Sequence, residues 1–146
     1  MNILVINGPN LNMLGIREPG IYGNESYENL CDRIQKKVAS FGGRVTCFQS
    51  NHEGAIIDEI QAAYGVYDGI IINPGAYTHY SYAILDALKA VSLPTVEVHI
   101  SDIRARESFR SVSVTEAACF AQIAGEGLNG YLRAIDLLRE KLDLLK

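Results

Sequence analysis

The sequence predicts an α/β fold: a flavodoxin-like, doubly wound sheet of five parallel strands in a three-layer α/β/α sandwich. Three observations predict it. Short apolar runs bounded by turn residues recur along the chain, the pattern of strands buried on both faces. Between them stand segments whose apolar residues fall at helical spacing. The two kinds alternate at the spacing of βαβ units, which makes the strands parallel and puts helices on both faces of the sheet.

Ile3 to Ile6 is the first strand-like run. From Ser26 to Phe41 the period changes: Leu30, Ile34, Val38 and Phe41 share a helical face, Ser26 is placed to cap the start, and Gly42-Gly43 ends it. Val45 to Gln49 reads as the second strand. Ala55 to Tyr64 reads as the second helix, with Ile56, Ile57, Ile60 and Tyr64 inward and Gly65 after it. Gly69 to Ile72 is the third strand, stopped by Asn73-Pro74-Gly75. A helix from about Tyr80 to Val91 follows, with Ile84, Leu85, Leu88 and Val91 on its apolar side. Thr95 to Ile100 and Cys119 to Ala124 complete the strands, and Gly130 to Leu145 is a closing helix. With no internal repeat, low-complexity tract or linker, residues 1–146 read as one domain.

The bulk properties narrow the function classes. Hydrophobic residues make up 48% and charged residues 21% of 146, a globular balance. A net charge of -4 argues against nucleic acid or an anionic membrane as partner, so any bound anion must be held by a local cluster. The start MNILVINGPN has no basic region ahead of its short apolar run and does not read as a signal peptide. No apolar stretch has the length of a membrane span. Cys31, Cys47 and Cys119 are odd in number and far apart in sequence, without zinc spacing or a CxxC pair. They are expected to be buried free thiols of a cytoplasmic protein.

Two segments break the pattern: a loop from Gly8 to Gly23 and an irregular, Arg-dense stretch from His99 to Val112. Long loops in a compact domain are often lids or binding loops. Both begin at the carboxyl end of a strand, where open α/β sheets bind ligands, and so does Asn73 to His79. Three polar loops thus converge on one rim. They bring Asn7, Asn10, Arg17, Glu18 and Tyr22; Asn73, Thr78 and His79; and His99, Ser101, Asp102, Arg104, Arg106 and Arg110.

A single surface histidine is usually only solvated, but His79 and His99 both sit just past strand ends on this rim, and imidazole exchanges protons near neutral pH. Arg104 reads as part of a solvated loop, whereas Arg110 follows Phe109, which can anchor the loop and leave the guanidinium to fork onto a carboxylate or hydroxyl. The Ile100-Ser101 backbone precedes a short turn and can cradle an anion. A free tyrosine, with a pKa of about 10, is a poor base at neutral pH. A cation within a few ångströms lowers such a value by roughly 1–3 pH units. Arg17, five residues before Tyr22, is a plausible source. Spacing alone does not bring the two together, and on spacing alone Tyr22 reads as a packed surface tyrosine. Phosphate-loop, dinucleotide and nucleophile-elbow motifs are absent. Metal binding by His79 and His99 is set aside because the rim offers few carboxylates and no thiolate. His52 and Glu53 read as a capping or surface pair.

Taken together, NGPNLNMLGIREPGIYG (7–23), QSNHEG (49–54), INPGAYTH (72–79), EVHISDIRARESFR (97–110) and GYLRAI (130–135) resemble the type II 3-dehydroquinate dehydratases along essentially the whole chain. The resemblance implies a cofactor-free lyase of the shikimate pathway that removes water from 3-dehydroquinate by anti elimination through an enolate. It implies that Tyr22 removes the proton α to the ketone, kept ionisable by Arg17, and that His99 protonates the leaving hydroxyl. Asn10 then holds a water against the enolate oxygen, so that neither a Schiff base nor a metal is required. Asn73, His79 and Arg110 bind ring hydroxyls, and Ile100 with Ser101 holds the carboxylate. Asp86, otherwise an ordinary exposed helix carboxylate, is implied to reach a neighbouring subunit's site in a homododecamer of four trimers.

Some positions depart from the family's usual residues: Asp102 stands for Asn, Arg104 for His or Tyr, Tyr80 and Tyr82 for smaller residues, and Ala121 for Gly. None removes a catalytic group, but Asp102 puts an extra negative charge near the carboxylate pocket and is expected to weaken substrate affinity. The competing reading is a non-catalytic flavodoxin-like binding module. A phospho-acceptor needs acidic residues at the end of the first strand, where this chain has Asn7-Gly8-Pro9-Asn10. A flavin module needs a hydroxyl- and glycine-rich loop there.

Overall fold

In the computed structural model, which describes residues 1–16 and 18–146, the five apolar runs form strands β1 (Asn2–Asn7), β2 (Arg44–Gln49), β3 (Gly69–Asn73), β4 (Thr95–His99) and β5 (Ala121–Ala124). All pair in parallel, in the order β2-β1-β3-β4-β5, the doubly wound order that the alternation predicts. The helices are α1 (Pro19–Tyr22), α2 (Tyr27–Ala39), α3 (Glu53–Ala62), α4 (Tyr82–Val91) and α5 (Asn129–Leu144).

Strand side chains alternate between the two faces of the sheet. Ile3, Val5, Ile71, Val96 and Val98 meet Leu30, Ile34 and Val38 of α2 and Ala134, Ile135 and Leu138 of α5. Leu4, Ile6, Ile70 and Ile72 meet Ile56 and Ile60 of α3 and Ile84 and Leu88 of α4. Each fully buried Ile or Leu contributes about 1.5–3 kcal/mol. These two layers therefore hold the fold and leave the loops free to carry chemistry. Among the described residues, no helix is long and apolar enough to cross a membrane.

Local chemistry sets the element ends. Ser26 caps α2 as expected, its side chain accepting from the Asn29 N–H. The fourth helix starts at Tyr82 rather than Tyr80, because Ser81 caps it by accepting from the Ile84 N–H. Tyr64 is not inward as expected but 72% exposed. The helix ends at Ala62 and the chain turns at Gly65 (φ 75°), which takes Tyr64 off the apolar stripe. His52 and Glu53 do not act as a pair: the His52 side chain makes no cap hydrogen bond, and Glu53 accepts from the Ser81 hydroxyl, tying α3 to α4. The fifth strand begins at Ala121 rather than Cys119, because Thr115–Ala118 coils into a 3-10 turn. The three cysteines are free, but half-buried rather than buried. Cys31 and Cys47, far apart in sequence, lie near enough across the contact between α2 and β2 for Cys47 to lower the Cys31 pKa to about 7.

Strand order reverses about β1 and β3, and ligands of open α/β sheets bind at the carboxyl ends beside such a reversal. The register puts Gln49, Asn7 and Asn73 level at that end. The loops leaving β1 and β3 are in close contact. Gly8 donates its N–H to the Asn73 carbonyl at 2.7 Å, and a Cβ on Gly8 would stand 2.4 Å from the Pro74 carbonyl oxygen. Only glycine allows that approach.

Candidate active site

A cleft of about 170 Å³ opens at this carboxyl rim, and Asn10, Tyr22, Asn73, His79, His99, Ile100, Ser101 and Arg110 all line it, together with Arg106. Of the remaining residues the sequence points to, Arg17 lies outside the described residues. Asp86 is exposed on α4 and does not line the cleft of its own chain. A larger hollow of about 430 Å³ lies between Met1, Phe41, Arg139 and Lys146, away from every one of these groups.

His99 and Glu97 are two apart on β4 and so point to the same face. Both are buried, and His99 Nε2 lies 2.9 Å from Glu97 Oε2. Burial alone raises the carboxyl's pKa, but the bond and charge of His99 and the hydrogen bonds from Thr115 and Gln122 outweigh it and hold it down at about 2. Ser113 donates as well. Glu97 is therefore a carboxylate that only accepts, so His99 Nε2 carries a hydrogen and Nδ1 is the ring nitrogen left for the cleft.

Tyr22 ends α1, and its hydroxyl accepts from Arg106 Nη1 at 2.7 Å. The guanidinium also lies 5.4 Å from the Tyr22 ring centroid and 4.0 Å from Glu18 Oε2, joining the first loop to the Arg-dense one. His79 donates from Nδ1 to the Val112 carbonyl at 2.7 Å. Burial pushes its pKa down, partly offset by that carbonyl, and the Arg110 charge adds to the fall. His79 is therefore a neutral imidazole at neutral pH with Nε2 as acceptor.

Asn73 is more committed than its sequence position suggests. Its Nδ2 donates to the buried Tyr131 hydroxyl at 2.9 Å and its Oδ1 accepts from the Gly75 N–H at 3.1 Å. Ile100 and Ser101 follow β4, their carbonyls taken by Gly127 and Gly125 N–H groups at 3.1 Å each. Thr78, polar and on the rim loop, is buried and bonded to Ser113 and Thr115. Phe109 does not anchor its loop in the core. It is 58% exposed and packs against His79 and Arg110, while Arg110 pairs with Glu107 rather than standing free. Arg104 is exposed, as expected.

Two groups carry more than the sequence reading assigned them. Arg106 was one of three arginines on a loop, and its partner Tyr22 is 84 residues away. Glu97 did have a signal: a lone carboxylate inside the apolar run TVEVHI must be paired or solvated.

A buried carboxylate–imidazole pair, a phenol held by a guanidinium and further polar groups around one small cleft are the arrangement of an enzyme that moves protons on a small molecule. Residues 1–139 match the dehydroquinase class II family. The chain is 60% identical to the 3-dehydroquinate dehydratase of Caldicellulosiruptor bescii over 97% of this chain and 98% of the relative. With that of Clostridium beijerinckii it shares 58% over 97% of each. Its fold superposes on the type II dehydroquinase from Butyrivibrio crossotus with a TM-score of 0.94 at 62% identity, covering 95% of this chain and 97% of that one. With the type II dehydroquinase from Propionibacterium acnes the TM-score is 0.92 at 42% identity, over 95% and 96%. The chain belongs to the class II dehydroquinase family, and its function is that of a type II 3-dehydroquinate dehydratase, a hydro-lyase. A non-catalytic binding module is not favoured.

Proposed function

We propose that residues 1–146 form a single catalytic domain that converts 3-dehydroquinate to 3-dehydroshikimate by anti elimination through an enolate. The observation that carries this reading is the pairing of Arg106 with Tyr22 and of Glu97 with His99 around one cleft. Arg106 holds the Tyr22 hydroxyl at the cleft, where Tyr22 takes the proton α to the ketone. The electrons move onto the ketone oxygen, where a water held by Asn10 stabilises the enolate. Collapse of the enolate expels the β-hydroxyl as His99 protonates it, with Glu97 fixing the ring and balancing its charge. Both protons move between side chains and substrate, so the elimination needs no cofactor.

His79 Nε2 accepts from a ring hydroxyl, and Asn73 and Arg110 bind the others. Ile100 and Ser101 hold the substrate carboxylate through backbone N–H and hydroxyl groups. The role of Arg17 beside Tyr22, that of Asp86 in a neighbouring subunit's site and the homododecamer rest on the family resemblance, as does a cytoplasmic location.

The test mixes purified protein with 3-dehydroquinate and follows the conjugated enone in the ultraviolet, with and without chelator and borohydride. Activity surviving both reagents is expected. Loss to borohydride would mean an imine and loss to chelator a metal, and either overturns the proposed route. Tyr22→Phe and His99→Ala are each expected to cost at least ~100-fold in kcat.

A further inference from the structure

The end of β2 supplies no residue to the cleft, yet its side chains hold the loops that do. Asn10 is exposed and adopts a left-handed backbone (φ 70°), a conformation that asparagine tolerates but that a loop must be held in. Its N–H donates to Asn51 Oδ1 at 3.0 Å. Asn51 Oδ1 also accepts from Gln49 Nε2 at 3.2 Å, and the same nitrogen reaches the Gly8 carbonyl at 3.1 Å and Asn12 Oδ1 at 3.4 Å. On its other side, the Asn51 carbonyl accepts from the Tyr77 hydroxyl at 2.8 Å, and Tyr77 sits on the loop between Asn73 and His79. Asn51 is thus bonded to the loop after β1 by its side chain and to the loop after β3 by its backbone.

We propose that Asn51, held by Gln49, is a positioning residue for the dehydration, which sets the backbone of Asn10 and so the place of the water that meets the enolate. The proposal rests on the reading of Asn10 given above. Neither Asn51 nor Gln49 lines the cleft. A hydrogen bond to a main-chain N–H fixes where the following side chain starts, and a misplacement of about 1 Å in a catalytic group can cost ~100-fold. Rotation of Asn51 would release Asn10 while leaving Tyr22 and His99 in place, so proton abstraction should suffer more than substrate binding.

The experiment is a double-mutant cycle on the full chain, with turnover of 3-dehydroquinate measured for wild type, Asn10→Ala, Asn51→Ala and the double variant. Asn51→Ala is expected to lower kcat ~10-fold with KM within about twofold, and to cost less than about twofold once Asn10 is Ala, the coupling of residues that act as one unit. Asn51→Asp keeps the acceptor oxygen and is expected to restore most of the lost turnover. An equal factor in both backgrounds would mean an ordinary structural role and overturns the proposal, as does an Asn51→Ala variant as fast as wild type. Full activity in Asn10→Ala alone overturns the reading of Asn10, and the single variant tells that failure from the others. If Asn51→Ala does not fold, Gln49→Met, which removes the donor to Asn51, goes through the same cycle with the same expectations.

Discussion

Arg106 Nη1 donates to the Tyr22 hydroxyl at 2.7 Å, a link across 84 residues that joins the short helix of the first loop to the Arg-dense loop after β4. With Tyr22 as the proposed base, this guanidinium fixes the hydroxyl at the cleft and ties the first loop to the Arg-dense one. Arg106→Ala is then expected to lower kcat at neutral pH by at least ~10-fold, the low end for a charged hydrogen bond of about 1.5–3 kcal/mol. The loss should fall on kcat more than on KM, because the contact positions the base rather than the substrate. A rise in KM with kcat unchanged would assign Arg106 to substrate binding instead.

Glu97 gives a prediction with a definite sign. Its carboxyl is held at about 2, against an ordinary value of 4.5, so the folded state binds its proton less readily than the unfolded state does. The contribution to stability is present in full above about 4.5 and is lost as the pH falls through about 2. Urea midpoints measured across this window should fall more steeply for wild type than for Glu97→Gln. The same variant sets an amide N–H₂ against His99 Nε2–H and is expected to cost at least ~10-fold in kcat. Equal slopes in the two proteins would mean that Glu97 is not ionised when folded.

Sequence pattern was a good guide where one force dominated. Ile3 to Ile6 and Gly69 to Ile72 have no stable place except inside a sheet covered on both faces, and the parallel pairing follows from the alternation. The rim followed from topology, since loops leaving β1, β3 and β4 must meet at one end. Pattern was a poor guide where long-range pairing decides. Tyr64 fits the apolar stripe of a helix that stops two residues before it. Phe109 looked like an anchor but is an exposed partner of His79 and Arg110. Nothing in the spacing of Asn51 or Arg106 tells which loop each will reach.

Asp102 raised the expectation of weakened substrate affinity through its negative charge. In the structure its Oδ1 accepts the Arg104 N–H at 3.1 Å and caps the 3-10 turn Ile103–Ala105, while Asp102 itself is exposed and does not line the cleft of Tyr22 and His99. A carboxylate that faces water is screened, with a Debye length of about 8 Å at physiological salt. Asp102→Asn keeps the capping oxygen and is expected to leave KM within about twofold. A tenfold fall in KM would mean that the carboxylate faces the substrate after all.

Tyr131 links the buried middle of the sheet to the site. It is fully buried on α5, donates to Asn7 Oδ1 at 2.6 Å and accepts from Asn73 Nδ2 at 2.9 Å, and burial pushes its pKa up so that it keeps the proton it donates. Tyr131→Phe keeps the packing but leaves two buried amides each short of a partner, at roughly 1–3 kcal/mol apiece less whatever the amides recover by rotating. A net loss of roughly 2 kcal/mol is expected, which for a domain of this size lowers Tm by about 4–8 °C. Because Asn73 lines the cleft, KM should rise along with the fall in Tm. A lower Tm with KM unchanged would confine the Tyr131 hydroxyl to the core. An unchanged Tm would mean that both amides re-pair without it.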